Sequence, residues 1–136
     1  MKCVKMFIQG LLASLVLPVI VFADPAVVLK KNDKIVFLGD SITAGGNTGK
    51  GYIQVIRQHL AEKKKDLGVE CVGAGISGNK VPDLQKRVER DVISKKPTVV
   101  FIYIGINDVW HGEKDPKRGT TPEAFESCLL YTSDAA

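Results

Sequence analysis

Three short apolar runs, separated by two segments with helical spacing, constrain the fold of this chain more than any other feature. The runs span 34–38, 69–72 and 98–104, and the segments between them span 52–66 and 82–95. The third run is almost continuously apolar, which predicts a central strand covered on both faces. Alternation of strand and helix with right-handed crossovers predicts an α/β fold, a three-layer α/β/α sandwich around a parallel sheet.

Both helical segments have one apolar face. Residues 39–51, between the first strand and the first helix, are rich in glycine and predict a loop. A further helix is predicted from about Thr121, which can cap the first turn, with Pro122 at its first position. The apolar faces consist of Ile53, Ile56 and Leu60 in the first segment and of Leu84, Val88 and Val92 in the second.

Residues 1–23 have the pattern of a secretory signal peptide. Lys2 and Lys5 precede an apolar stretch over 7–21, which ends close to the small residue Ala23. The alternative is a buried or membrane-anchoring helix, but a proline late in the stretch and the charged residues after it favour cleavage. We therefore expect cleavage near Ala23 and a secreted or periplasmic protein without a stable membrane anchor.

The charge and cysteine content argue against several classes of function. Removing Lys2 and Lys5 from the 19 basic residues leaves 17, against 15 acidic residues. The lysines at 63–65 and 95–96 lie where helices are expected to end, and cations there complement the helix dipole. Because no aromatic residues are interleaved with them, we do not expect nucleic-acid binding. The three cysteines have neither disulfide-framework nor metal-site spacing.

Each predicted strand is followed by a turn that carries groups suited to acyl transfer. Gly39-Asp40-Ser41 follows the first strand, Gly78-Asn79 the second and Gly105-Ile106-Asn107-Asp108 the third. Because the carboxyl ends of parallel strands meet at one edge of the sheet, we expect these turns to converge. Ser41 is the candidate nucleophile, and the N–H groups of Ser41 and Gly78 and the amide of Asn107 are candidate oxyanion donors. The sequence thus predicts a serine hydrolase.

In these three blocks the chain resembles the SGNH hydrolase superfamily, the GDSL-type esterases and lipases. The resemblance covers about 28–125, and three blocks in order are far more specific than any one of them. It implies the flavodoxin-like form of the α/β/α sandwich, with Ser41 as nucleophile and with Ser41, Gly78 and Asn107 as the oxyanion hole. It implies neither a metal nor another cofactor.

Polar residues around the three blocks are predicted to contact the substrate. They are Asp40, which the resemblance also implies as the group that fixes the nucleophile turn, and Asn47, Asn79 and His111. Export and a short polar loop around the site favour a small ester or an acylated carbohydrate as substrate, such as a carbohydrate acetyl ester.

One part of the family pattern is missing. The superfamily carries its catalytic aspartate and histidine in an Asp-x-x-His block near the C-terminus, and we identify no such block in this chain. Loss of a triad member costs several orders of magnitude in rate. We therefore expect the chain to be an inactive N-terminal fragment of an esterase that forms an acyl-enzyme on Ser41. His59 is predicted to lie on a helix surface.

The last residues do not fit the rest of the pattern. Residues 128–136 continue no helical face and resemble a translated sequencing adaptor, so we expect a non-native tail. The family domain is then expected over 24–127, with a sheet that is incomplete at its C-terminal side.

Two other functions remain compatible with the sequence. A non-catalytic carbohydrate-binding module or pseudoenzyme would use the same cleft. Gly73-Ala74-Gly75-Ile76-Ser77-Gly78 has the GxGxxG spacing of dinucleotide-binding domains, although no acidic residue ends the next strand as that function requires.

Overall fold

The structure, a computed structural model, describes residues 28–136, and the predicted signal peptide lies outside them. Three parallel strands form one sheet in the order β2-β1-β3. They are β1 (Lys34–Gly39), β2 (Glu70–Gly75) and β3 (Val99–Tyr103). The predicted parallel sheet is therefore confirmed, with β1 rather than β3 at its centre.

The register places the ends of all three strands together. Gly39, the last residue of β1, is paired with Gly75 of β2 and with Tyr103 of β3. The turns that follow the strands therefore begin side by side at one edge of the sheet, as the parallel arrangement predicts.

Five α-helices surround this sheet in the described part of the chain. Short 3₁₀ turns follow three of them, at Lys65–Leu67, Ile93–Lys95 and Pro116–Arg118. None of the described helices is long and apolar enough to cross a membrane. The five helices are α1 (Ser41–Gly46), α2 (Tyr52–Lys63), α3 (Val81–Asp91), α4 (Ile106–Lys114) and α5 (Pro122–Ala135).

Alternating residues of β1 pack against helices on opposite faces of the sheet, which makes the three layers. Ile35 and Phe37 pack with α2 through Ile53. Val36 and Leu38 pack on the other face with the apolar side of α3, and the end of α5 covers the same core. The predicted face of α3 thus covers the sheet, and so do Ile53 and Ile56 of the face predicted for α2.

The prediction that the third strand is central and covered on both faces is wrong for the described residues. β3 lies at the edge of the sheet, where the side chains of Phe101 and Tyr103 remain 47% and 49% exposed. Val100 and Ile102 pack on the α3 side of the sheet. An apolar run shows only that its side chains are apolar. It does not show whether helices cover one face or both faces of that strand.

The glycine-rich segment is not simply a loop, because α1 occupies its first half. Asp40 caps this short helix and overcomes the poor helix propensity of Gly45 and Gly46. The predicted cap of α5 is confirmed, since the Thr121 hydroxyl accepts the N–H of Ala124 at 3.3 Å.

The prediction that no helical face continues into 128–136 is wrong. α5 runs on to Ala135, Thr132 is fully buried, and Ala135 packs against the α3-side core. The Thr132 hydroxyl donates to the carbonyl of Cys128 at 2.8 Å, a local bond that lets a polar residue occupy a buried helix position. That these residues are non-native stays a prediction.

Candidate active site

In the nucleophile turn, Ser41 is exposed to solvent while the residue before it is buried. β1 ends at Gly39, and Asp40, only 1% exposed, accepts the N–H of Ile42 through Oδ1 at 2.9 Å. Ser41 is the first residue of α1 and its surface is exposed. The burial of Asp40 agrees with the predicted role in fixing the turn and does not support the predicted substrate contact.

Glycines at the strand ends let α1 lie directly on the sheet. A Cβ on Gly75 would overlap the backbone nitrogen of Ala44, and one on Gly39 would overlap the Thr43 side chain. Thr43 is fully buried, and its hydroxyl lies 3.1 Å from that of Tyr52. Burial raises the pKa of the Tyr52 phenol. The position of the nucleophile turn is therefore set by close packing.

The loop after β2 is open in comparison. Gly78 has φ +79°, a left-handed conformation, and a Cβ placed on it would meet no atom within 4 Å. Glycine is favoured here by backbone conformation and not by lack of space. Gly78 and its neighbour Ser77 are exposed, so the backbone of this loop is accessible to a ligand.

The third block folds against this loop. Asn107, 4% exposed, donates a hydrogen bond from Nδ2 to the backbone carbonyl of Asn79 at 3.0 Å. The buried carboxylate of Asp108 accepts the N–H of Val81 at the start of α3, at 3.1 and 3.3 Å from its two oxygens. An amide nitrogen carries two hydrogens, so one N–H of Asn107 fixes the side chain while the second can face a ligand.

Sequence analysis missed Arg87, the residue that connects these turns. It lies on α3, is 6% exposed, and its Nη2 donates to the carbonyl of Gly39 at 2.8 Å. Its Nε donates to the Asn79 side chain at 2.8 Å. Nη1 donates to the carbonyl of Ala74 at 2.9 Å and to Asp91 at 2.8 Å. One guanidinium thus joins the end of β1 to β2 and to the loop that follows β2.

A signal for Arg87 is present in the sequence. The residue lies three positions after Leu84 and next to Val88, so it falls beside the predicted apolar face of the helix. A charged residue at such a position is buried only when it is paired. The pair is Asp91, whose pKa is lowered to about 2, mainly by a hydrogen bond from Arg90 and further by one from Arg87.

The structure does not bring Asn47 into the site. Its side chain covers β2, and a Cβ on Gly73 would lie 2.5 Å from its Cγ. Its Oδ1 is buried, and its backbone carbonyl accepts Nε2 of Gln54 at 2.9 Å. The predicted substrate contact of Asn47 therefore has no support in this geometry.

The same packing explains the GxGxxG spacing. Asn47 fills the space above Gly73, and α1 fills the space above Gly75. Protein atoms occupy the space next to both glycines, so a pyrophosphate group could not approach their backbone there.

The two histidines lie in different surroundings. His59 is exposed on α2, as predicted. His111 is half-buried on α4 beside Trp110, with ring centroids 6.2 Å apart. It stands three residues after Asp108, so the Asp-x-x-His spacing does occur here, and the prediction that the chain lacks it is wrong as to spacing. Asp108 accepts the N–H of Val81, so its carboxylate serves to join α3 and α4.

The predicted turns meet at one edge of the sheet. The N–H of Ile76, in the loop after β2, donates to the carbonyl of Gly39 at 3.1 Å, and Asn107 bonds the same loop at Asn79. The exposed residue Ser41 therefore lies at the same sheet edge as a surface loop and a buried amide, which correspond to the nucleophile and the oxyanion donors of acyl transfer but include no base. Within 28–136, no group of three or more His, Cys, Asp or Glu side chains is arranged to hold a metal ion.

Comparison with known proteins agrees with the fold. The model of the GDSL-like lipase/acylhydrolase family matches residues 37–129. An acetylxylan esterase from Geobacillus stearothermophilus is 44% identical over an alignment of 89 residues, with coverage of 57% of this chain and 41% of that protein. A solved acetyl xylan esterase, AlAXEase, has a TM-score of 0.70 and 41% identity, over 75% of this chain and 51% of its own.

A second solved relative is Axe2, an acetylxylan esterase from Geobacillus stearothermophilus. The structure of one catalytic mutant has a TM-score of 0.72 and 34% identity, over 78% of this chain and 55% of that one. Two catalytic mutants of Axe2 replace an aspartate and a histidine that are three positions apart in that protein. The chain spans about half the length of the relatives that it matches.

Proposed function

Because this chain belongs to the GDSL-like lipase/acylhydrolase family, we propose that it carries the nucleophile and the oxyanion hole of a serine ester hydrolase. The observation that carries the proposal is the meeting of three turns at one sheet edge. There the exposed Ser41 follows a buried cap, and the Asn107 amide is fixed to the Gly78-Asn79 loop.

In the proposed reaction the Ser41 hydroxyl attacks the carbonyl carbon of the ester and loses its proton to a base. The oxyanion of the tetrahedral intermediate accepts hydrogen bonds from the N–H groups of Ser41 and Gly78 and from Nδ2 of Asn107. The C–O bond to the alcohol then breaks, the alcohol takes the proton from the base, and an acyl-enzyme remains. Water attacks this ester next and returns the serine hydroxyl.

We assign the base to a histidine of an Asp-x-x-His block outside this chain. The resemblance to the superfamily implies this block, and the catalytic mutants of Axe2 at an aspartate and a histidine support it. His59 is exposed on α2 and is not proposed as the base. The chain alone is then expected to be inactive.

We propose acylated carbohydrates, acetyl esters above all, as the substrates. The relatives named acetylxylan esterases support this choice. Secretion or export to the periplasm, with cleavage near Ala23, fits a polymeric substrate that cells meet outside the cytoplasm.

The test is to express the protein from its whole reading frame and to measure turnover of p-nitrophenyl acetate and release of acetate from acetylated xylan. Ser41→Ala should abolish both while the thermal unfolding transition is retained. Ser77→Ala changes an exposed serine of the neighbouring loop and should leave both rates unchanged. Full turnover by Ser41→Ala would exclude the proposed nucleophile. Binding of acetylated oligosaccharide without any turnover would instead identify a carbohydrate-binding protein.

A further inference from the structure

We propose that Arg87 is a positioning residue for the oxyanion hole, one that sets the distance between the nucleophile turn and the amide of Asn107. This inference rests on the proposed hydrolase function. It assigns a catalytic consequence to a side chain that lies beneath the site and does not touch the substrate.

The argument begins with the positions of the hydrogen-bond acceptors of Arg87. Nη2 holds the carbonyl of Gly39, two residues before Ser41, at 2.8 Å. Nε holds the side chain of Asn79 at 2.8 Å, and the backbone carbonyl of Asn79 in turn holds Nδ2 of Asn107 at 3.0 Å. A continuous path of hydrogen bonds therefore joins the nucleophile turn to a proposed oxyanion donor.

The loop after β2 is exposed at Gly78, and a Cβ there would meet no atom beyond the chain neighbours within 4 Å, so packing around Gly78 itself is loose. Hydrogen bonds hold the two ends of the loop. The backbone bond from Ile76 to Gly39 holds the beginning of this loop at 3.1 Å. The far side of the loop, at Asn79, is held by Arg87 from below and by Asn107 from the side.

The geometry requires a guanidinium in particular. Its acceptors are three oxygens, on Gly39, Ala74 and Asn79, together with the carboxylate of Asp91. A planar fork with five donors reaches several fixed acceptors at once, whereas lysine has a single nitrogen. Lysine at position 87 would keep the charge near Asp91 but would lose the bond to Gly39 or the bond to Asn79.

The experiment compares Arg87→Lys with the wild type in the protein from the whole reading frame, with p-nitrophenyl acetate as substrate. We expect kcat to fall about 10- to 100-fold with KM within about twofold, because a small displacement of an oxyanion donor weakens transition-state binding alone. Unchanged kcat in a folded Arg87→Lys variant would overturn the inference.

A double-mutant cycle with Asn107→Ala separates positioning from a general structural role. If Arg87 acts through Asn107, Arg87→Lys should cost much less once the Asn107 amide is absent. A merely structural role predicts equal fold losses in both backgrounds, and that result would contradict positioning.

If Arg87→Lys does not fold, Asn79→Ala provides the second measurement. It removes the Nε acceptor while the bonds to Gly39, Ala74 and Asp91 remain, and we expect a smaller fall in kcat with KM retained. Unchanged kcat in this variant would also overturn the inference. Full turnover by Ser41→Ala would count against the hydrolase function itself, so the two failures are distinguishable.

Discussion

The nucleophile turn and the loop after β2 lie at the same edge of the sheet but are held in place by opposite means. Around Ser41, Thr43 is fully buried and the glycines beneath α1 leave no space for a methyl group. The loop at Gly78 adopts a left-handed conformation, and no atom lies within 4 Å of the position that a Cβ would take there. The nucleophile turn is thus held by close packing in addition to hydrogen bonds at Gly39 and Asp40, whereas the far side of the loop is held by hydrogen bonds from Arg87 and Asn107.

The two regions require glycine for different physical reasons. Gly39 and Gly75 are needed because any side chain would displace α1, whereas Gly78 is favoured because other residues resist its φ angle. Substitutions in the two regions should therefore fail in different ways.

The largest effect is expected at the packed turn, for Gly75→Ala. The new Cβ would overlap the backbone of α1 at Ala44, so the helix must shift, at a cost of about 3 kcal/mol in the free energy of unfolding. Ester turnover should fall as well, because Ser41 moves with α1. Urea unfolding and kcat measure the two effects. Gly45→Ala, in the same helix with open space around it, is the control and should change neither strongly. A fully stable and active Gly75→Ala variant would contradict the conclusion that close packing sets the position of the nucleophile turn.

The next effect is expected at the amide that joins the two regions, for Asn107→Ala. Loss of one oxyanion donor should lower kcat about 10²-fold with little change in KM. The buried bond to Asn79 is lost as well, so a fall of about 1 kcal/mol in the free energy of unfolding should accompany it. Steady-state kinetics and urea unfolding test both. A fall in stability with unchanged kcat would make Asn107 a purely structural residue.

The open loop allows a matched comparison between Gly78→Ala and Gly49→Ala. Both glycines have positive φ, +79° and +52°, and space for a Cβ, so both variants should lose about 1 kcal/mol in the free energy of unfolding. Only Gly78→Ala should also lower kcat, because it strains the backbone that carries a proposed oxyanion donor. Equal kcat in the two variants would remove Gly78 from the site.

The smallest effect is expected for the pH dependence of stability that Asp91 contributes. Its carboxylate pairs with the buried guanidinium of Arg87. Its folded-state pKa is lowered from 3.8 to about 2, first of all by Arg90. A lowered carboxyl pKa stabilises the fold above the unfolded-state value, and this contribution is lost as the pH falls from about 4 to about 2. Because the side chain of Arg90 is 71% exposed and its charge is screened, we expect about 1 kcal/mol.

Urea unfolding of Asp91→Asn at neutral pH and at pH about 2 checks this expectation. The variant should be less stable than the wild type at neutral pH, and the difference should shrink at pH about 2, where the wild-type carboxyl is becoming protonated. A difference that is the same at both pH values would show that the charge of Asp91 is not its source.

Much of the fold was predictable because its signals are local. The apolar runs and the helical faces around Ile53 and Leu84 follow from spacing, and the cap at Thr121 follows from residue type. The three turns could be placed at one edge because parallel strands present their carboxyl ends together. The helix α1 was not predicted because its segment is rich in glycine. Its first turn depends on the cap that Asp40 forms.

The amino-acid sequence by itself determined the strand and helix order, the family blocks and the candidates Ser41, Gly78 and Asn107, since each depends on neighbours in the chain. Only the tertiary structure decided that Asp40 and Asn47 face inward, that β3 keeps an exposed face, and that Arg87 joins Gly39 to Asn79. The physical reason is that burial and hydrogen bonding of these side chains depend on groups from distant segments. The bond from Arg87 to Gly39, for example, joins residues 48 positions apart.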